Sequence, residues 1–184
     1  MNARALPLVL LLGWPLQPLD DAARGWVQTL RRPALEAPMR LVSDKSRVAL
    51  VAIGGGALVA GAAGRAFLAE SALALLPVNA LVEALKWSVD RARPDGERDR
   101  KNSSFPSSHA ANAFALAAVI TRRWRRAAIP AWLLAALVAF SRLYLDRHWF
   151  TDVLAAAALA LAGAWGAAEM LRRWQARRSM ARTS

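Results

Sequence analysis

Ser141-Arg142-Leu143-Tyr144-Leu145-Asp146-Arg147-His148-Trp149-Phe150-Thr151-Asp152 sets a guanidinium, an imidazole and a carboxylate between two Ala/Leu-rich segments. A helix resuming after Trp149 puts His148 and Asp152 at i and i+4, on one face. At that spacing the carboxylate can hold one ring nitrogen while the other points at a substrate. The tautomer is then fixed and the free nitrogen more basic, as a nucleophile or general base requires. A solvated charge cluster at a helix end is the other reading of this stretch taken alone. What decides between them is the rest of the chain.

The flanking segments are membrane-like. The 184 residues are 56% hydrophobic and the apolar ones come in blocks, with the charges between them. Residues 48–64 are uncharged and bracketed by Arg47 and Arg65. Residues 66–87 carry Glu70, Pro77 and Glu83, so a kinked helix facing protein on one side is expected, with Glu70 and Glu83 serving helix packing or pairing with Lys86. Residues 107–121 end in Arg122, Arg123, Arg125 and Arg126, and residues 127–140 and 153–170 complete the set before a basic tail. The glycine run at 54–56 suits close helix contact in lipid. The uninterrupted runs are often shorter than the roughly 20 residues a span needs, so polar motif residues at their ends must supply the missing length.

Residues 1–19 are Leu-rich with Pro7, Pro15 and Pro18. A secretory signal is one reading, but no small-x-small cleavage site follows, which favours a retained span or interfacial helix. Residues 20–47, with Trp26 and breaks expected at Pro33 and Pro38, read as a loop or surface helix at headgroup level. The expected fold is an all-α, multi-pass integral membrane bundle of about six helices in one domain, 1–184. Within it, 1–46 hold the first helix and amphipathic segment, 47–171 the catalytic helical core and 172–184 a basic cytoplasmic tail.

With Lys+Arg 25 against Asp+Glu 13, the net charge of +12 calls for anionic partners. Nucleic acid is disfavoured because the basic residues form no single stripe. The absence of cysteine removes disulfides, thiolate chemistry and sulfur-ligated metal.

Six helices bring the Lys86 end, the Ser107 start and the 141–152 turn to one side of the membrane. The other side receives Arg4, Arg65, the arginines at 122–126 and the tail, almost without acids, as a cytoplasmic face does. The chain therefore reads as a protein of the inner membrane with its site on the extracytoplasmic face. Two further stretches converge there. Lys86-Trp87-Ser88-Val89-Asp90-Arg91-Ala92-Arg93-Pro94 offers Lys86 and Arg93 to a phosphate, unless they are simply boundary anchors. Phe105-Pro106-Ser107-Ser108-His109 marks a helix N-terminus with Ser107 or Ser108 as cap. Free amides and the positive dipole end suit an anion there, and His109 in the first turn can reach a leaving oxygen. Plain capping is the other reading. Both histidines of the chain sit where a predicted helix emerges on the same side.

Lys86 with Arg93-Pro94, then Pro106-Ser107-Ser108-His109, then Ser141-Arg142 with His148 and Asp152 resemble, in order and spacing, the three-part signature of the type 2 phosphatidic acid phosphatase superfamily. That resemblance implies an all-α core like that of acid phosphatases and vanadium haloperoxidases. It also implies metal- and cofactor-independent hydrolysis of a membrane lipid phosphate. In it His148 is the nucleophile, Asp152 holds its ring and His109 is the general acid. Lys86, Arg93, Arg142 and the groups at Ser107 and Ser108 bind the phosphate. Glycine is usual in the family where this chain has Ser108. A metal role for His148 and Asp152 is disfavoured, since two ligands lack partners to complete a site. By analogy with small bacterial members the expected substrate is undecaprenyl diphosphate. The alternatives are phosphatidic acid or phosphatidylglycerophosphate, a phosphotransferase using the same residues, and a non-catalytic transporter or scaffold. Tyr144, Trp149 and Phe150 are candidates to line a lipid entrance. The sequence leaves the oligomeric state open.

Overall fold

The chain's architecture was read from a computed structural model that describes residues 16–97 and 103–183. The expected span over 1–19 therefore lies almost wholly outside the described residues. Six α-helices occur among them: α1 (Gln17–Thr29), α2 (Pro33–Val59), α3 (Gly61–Ser88), α4 (Ser108–Arg123), α5 (Ala128–Tyr144) and α6 (Phe150–Thr183). A 3-10 turn at Arg125–Ala127 joins α4 to α5.

The surface segment expected over 20–47 is divided. α1 takes its first part, and α2 starts at Pro33, where a proline loses no bond it would have made. Pro38 does not break α2. It lies so near the start that few backbone bonds are at stake. α2 then runs on to Val59, and the chain turns at Gly61, with φ +68°, instead of at Arg65. An L side chain rarely adopts that backbone angle, so the glycine and not the charge sets the boundary.

The close helix approach is at Gly163, not in the 54–56 run. A Cβ at Gly163 would stand 2.3 Å from Val78 Cγ2, whereas one at Gly55 or Gly56 would meet nothing within 4 Å. α3 and α6 thus pack nearly backbone to backbone, and α4 and α5 fill the rest of the core with Ala110, Ala111, Ala135 and Val119. Small residues are what permit such packing in lipid.

Among the described residues three segments are long and apolar enough to cross a membrane: Gly61–Ser88, Arg125–Tyr144 and Phe150–Ala181. α4 has 16 residues and spans only about 24 Å, less than the roughly 30 Å hydrocarbon core. Glu70 pairs with Arg122 (2.8 Å) and Arg123 (3.1 Å), not with Lys86, and so ties α3 to the C-terminal end of α4. Glu83 is exposed. α6 continues as helix through the basic region to Thr183.

Candidate active site

The three sequence stretches meet where α3 and α5 end and α4 and α6 begin. His148 lies in the five-residue turn before α6, just outside the helix, and is 3% exposed. Its Nδ1 is 2.7 Å from the Ser104 carbonyl oxygen, while Asp152 Oδ2 stands at 3.7 Å. A carbonyl only accepts, so Nδ1 carries the proton and Nε2 is left with its lone pair. The carboxylate is within ion-pair reach but too far for a hydrogen bond. The tautomer expected from Asp152 is therefore enforced first by a backbone carbonyl.

Asp152 is itself fully buried and saturated. Its Oδ2 accepts the Ser104 hydroxyl (2.5 Å) and the Trp149 amide (2.8 Å), the latter closing the first turn of α6 from position N3. Its Oδ1 accepts Arg91 Nη1 at 2.6 Å. Ser104 N–H in turn donates to the Arg91 carbonyl, and Ser107 N–H to the Asp152 carbonyl. These bonds knit the loop after α3, the entry to α4 and the entry to α6 into one unit. Neither Ser104 nor Arg91 stood out in the sequence.

Ser107 caps α4, accepting Ala110 N–H at 3.4 Å, as the sequence predicts. Ser108 Oγ is buried without a hydrogen-bond partner in the protein. Arg142 is buried on the last turn of α5 and donates from Nη1 to the Ser43 hydroxyl on α2. Lys86 is buried in the last turn of α3. Arg93 is buried in the following loop, with its backbone bonded to Glu97 and Gly96 and its guanidinium 3.9 Å from Glu97. His109, in the first turn of α4, lines a groove of about 270 Å³ between α2, α4 and α5. The structure thus joins His148, Asp152 and Ser107 through direct contacts, while His109 belongs also to the groove. Trp149 and Tyr144 are spoken for: Trp149 Nε1 donates to the Ala92 carbonyl and Tyr144 Oη to the Arg32 carbonyl.

Burial is the main influence on His148 and holds its pKa below the ordinary 6.5, with Arg142 adding to the effect and Asp152 opposing it. The neutral ring, the form with a nucleophilic Nε2, therefore persists as pH falls past 6.5 and is lost only when pH drops through the lowered pKa. A single-turnover pH profile, taken with a phosphoester whose leaving group needs no proton, is expected to show its acid limb below 6.5. A limb at or above 6.5 would mean that burial does not dominate. Among the described residues no group of three or more His, Cys, Asp or Glu converges as a metal site.

A buried imidazole with a fixed tautomer thus stands near the buried Arg142 and the N-terminus of α4, at one end of a helical bundle with helices long and apolar enough to cross a membrane. The chain belongs to the PAP2 superfamily, whose family model matches residues 67–176. It is 33% identical over 98 residues to a lipid A 1-phosphatase of Porphyromonas gingivalis, an alignment covering 51% of this chain and 21% of that protein. The chain thus matches about a fifth of that relative's length. Its fold resembles LpxE of Aquifex aeolicus, with a TM-score of 0.71 at 20% identity over 79% of this chain and 92% of the other. It also resembles a transmembrane PAP2-type phosphatidylglycerolphosphate phosphatase of Bacillus subtilis, with a TM-score of 0.68 at 23% identity over 94% and 98% of the two chains.

Proposed function

We propose that the chain is a metal-independent phosphatase of a membrane lipid phosphate or diphosphate, acting through a phosphohistidine. The observation that carries the reading is the position of His109, which sits at the polar end of the groove with Lys45, Ser46 and Asn112. Beyond them the lining is apolar, from Ala113 along α4 to Ile120. From His109 to Ile120 the groove follows about 16 Å of helix. Leu41 and Leu134 on its wall are 60% and 52% exposed, so a hydrocarbon chain can enter from the side. In this reading a substrate with its chain in the groove brings its phosphate to His109, in the first turn of α4, on the side of the bundle where α6 begins.

In this reading His148 Nε2 attacks phosphorus as the bond to the leaving oxygen breaks, and His109 gives that oxygen its proton. Lys86, Arg93, Arg142, the α4 N-terminus and the Ser108 hydroxyl hold the phosphoryl oxygens. Water then hydrolyses the phosphohistidine and inorganic phosphate leaves. The site faces the extracytoplasmic side of the inner membrane, with the basic end of α6 in the cytoplasm.

The apolar groove suits a lipid with one long chain, and undecaprenyl diphosphate is the substrate we place first. Lipid A 1-phosphate is the second reading, favoured by the 33% identity to a lipid A 1-phosphatase. The test is phosphate release by the purified protein with chelator present, on undecaprenyl diphosphate, lipid A 1-phosphate, phosphatidylglycerophosphate and phosphatidic acid. Release from one lipid that survives chelator supports the reading and selects the substrate. Silence on all four, or loss in chelator, overturns it.

Ala131 lines the groove on α5, away from the phosphate end. Ala131→Phe is expected to raise KM for the long-chain substrate by about tenfold, the worth of roughly 1.4 kcal/mol of buried chain. Hydrolysis of a water-soluble short-chain phosphomonoester should be unchanged. Equal loss on both would place the chain elsewhere.

A further inference from the structure

Asp20 lies on α1, the helix outside the matched family region, yet it is fully buried. Its Oδ1 accepts the Thr151 amide at 2.8 Å, satisfying one of the free N–H groups in the first turn of α6. Its Oδ2 accepts the Thr151 hydroxyl at 2.7 Å and Arg91 Nη2 at 2.5 Å. The other arm of the same guanidinium, Nη1, donates to Asp152 Oδ1 and to the Thr151 hydroxyl. Arg91 is therefore forked between two buried carboxylates, one on α1 and one beside His148. A fork of this kind fixes both oxygens' directions, which a single lysine could not do.

The same face of α1 holds the other end of the His148 turn. Arg24 Nε and Gln28 Nε2 donate to the Asp146 carboxylate at 2.9 and 3.0 Å, and Arg31 Nε donates to the Tyr144 carbonyl at 2.9 Å. Asp146 has φ +53°, a left-handed conformation that a non-glycine residue holds only when its surroundings insist. Residues 20, 24 and 28 fall on one face of α1, with Arg31 just past its end, while Leu19 and Trp26, followed by the C-cap Leu30, form an exposed apolar stripe on another.

We infer that Asp20 is a positioning residue for the phosphatase reaction proposed above: through the Arg91 fork it sets the place of Asp152 and hence of His148. This inference rests on that functional reading. The apolar stripe then makes α1 a brace lying at the membrane surface, so that the helix binding the bilayer also holds the reacting turn. The residues that contact phosphate are elsewhere, so loss of Asp20 acts on turnover and leaves substrate affinity largely intact.

The experiment is steady-state and single-turnover kinetics on the full chain in detergent, with the substrate on which wild type is active. Asp20→Asn keeps an acceptor for the Thr151 amide but turns an N–H group towards Arg91. It is expected to lower kcat and the rate of phosphoenzyme formation by about 10- to 100-fold, the scale on which groups that orient a reacting ligand act, and to leave KM within about threefold. Asp20→Glu should recover part of kcat, and Asp20→Ser, which lacks the charge that pairs with Arg91, carries the same test if Asp20→Asn does not fold. Arg91→Gln combined with Asp20→Asn should lose no more than Arg91→Gln alone, because both cut one fork. A purely structural Asp20 would lower the unfolding temperature with kcat kept, and that result overturns the inference, as do losses that multiply in the double variant. A wild type silent on every lipid overturns the functional reading and this inference with it. An active wild type matched in kcat by Asp20→Asn or Asp20→Ser overturns the inference alone.

Discussion

His148→Ala is expected to reduce phosphate release by roughly 10⁴-fold or more, the scale seen when a covalent nucleophile is removed from an enzyme whose binding groups remain. The reasoning starts from the Ser104 carbonyl. At 2.7 Å from Nδ1 it leaves that nitrogen protonated and the Nε2 lone pair free. The other nitrogen-bearing side chains of this turn, Arg147 and Trp149, are hydrogen-bond donors only and offer no nucleophile. The measurement is rapid quench with a phosphate-labelled lipid: wild type should form acid-labile phosphoenzyme and the variant none.

The alanine variant also has a stability side. Removing the ring leaves the buried Ser104 carbonyl without its side-chain partner, which costs about 1–3 kcal/mol. Folding must therefore be checked by thermal unfolding before the kinetic loss is read. A folded variant that still turns over above about a tenth of the wild-type rate would move the nucleophile away from His148, because the remaining binding groups cannot supply that rate.

How much of this was legible in the sequence depends on the distance over which each residue acts. Lys86, Arg93, Ser107, Ser108, His109, Arg142, His148 and Asp152 stand in short stretches where residue type and spacing are visible together. The cap at Ser107 follows from local chemistry and was found there. Ser104 escaped because its key atom is a main-chain oxygen, which residue type does not reveal. Asp20 escaped because its partner Thr151 is 131 positions away, and an acid in a first helical turn reads as a favourable dipole contact. For Glu70 the sequence offers helix packing or a pair with Lys86, and the structure shows the former, through arginines 52 and 53 positions on. The α2–α3 boundary was placed at a charge, Arg65, when the permissive backbone of Gly61 decides it.

Asp152→Asn is the second large effect, and its size follows from what Asp152 is not required to do. In a hydrolase triad where the carboxylate alone sets the tautomer, the amide replacement costs about 10⁴ in kcat. Here the Ser104 carbonyl keeps the tautomer, so only the charge and the bonding pattern are lost. When Nε2 takes the phosphoryl group the ring becomes cationic, and a carboxylate at 3.7 Å stabilises it by about 4 kcal/mol at an effective dielectric near 20. Arg91 on Oδ1 offsets part of this. The expected loss in kcat is therefore about 10²- to 10³-fold.

The amide cannot satisfy its neighbours in either orientation. Its NH₂ must face Arg91 on one side or the Ser104 hydroxyl and Trp149 amide on the other, and all three are donors towards this side chain. A lower unfolding temperature should accompany the kinetic loss. The charge leaves a second signature, because Asp152 raises the His148 pKa against burial. Without it the pKa falls further, and the acid limb of single-turnover phosphoenzyme formation should move to lower pH than in wild type. A shift to higher pH, or a kcat within about tenfold of wild type, would show that Asp152 serves only to anchor the first turn of α6.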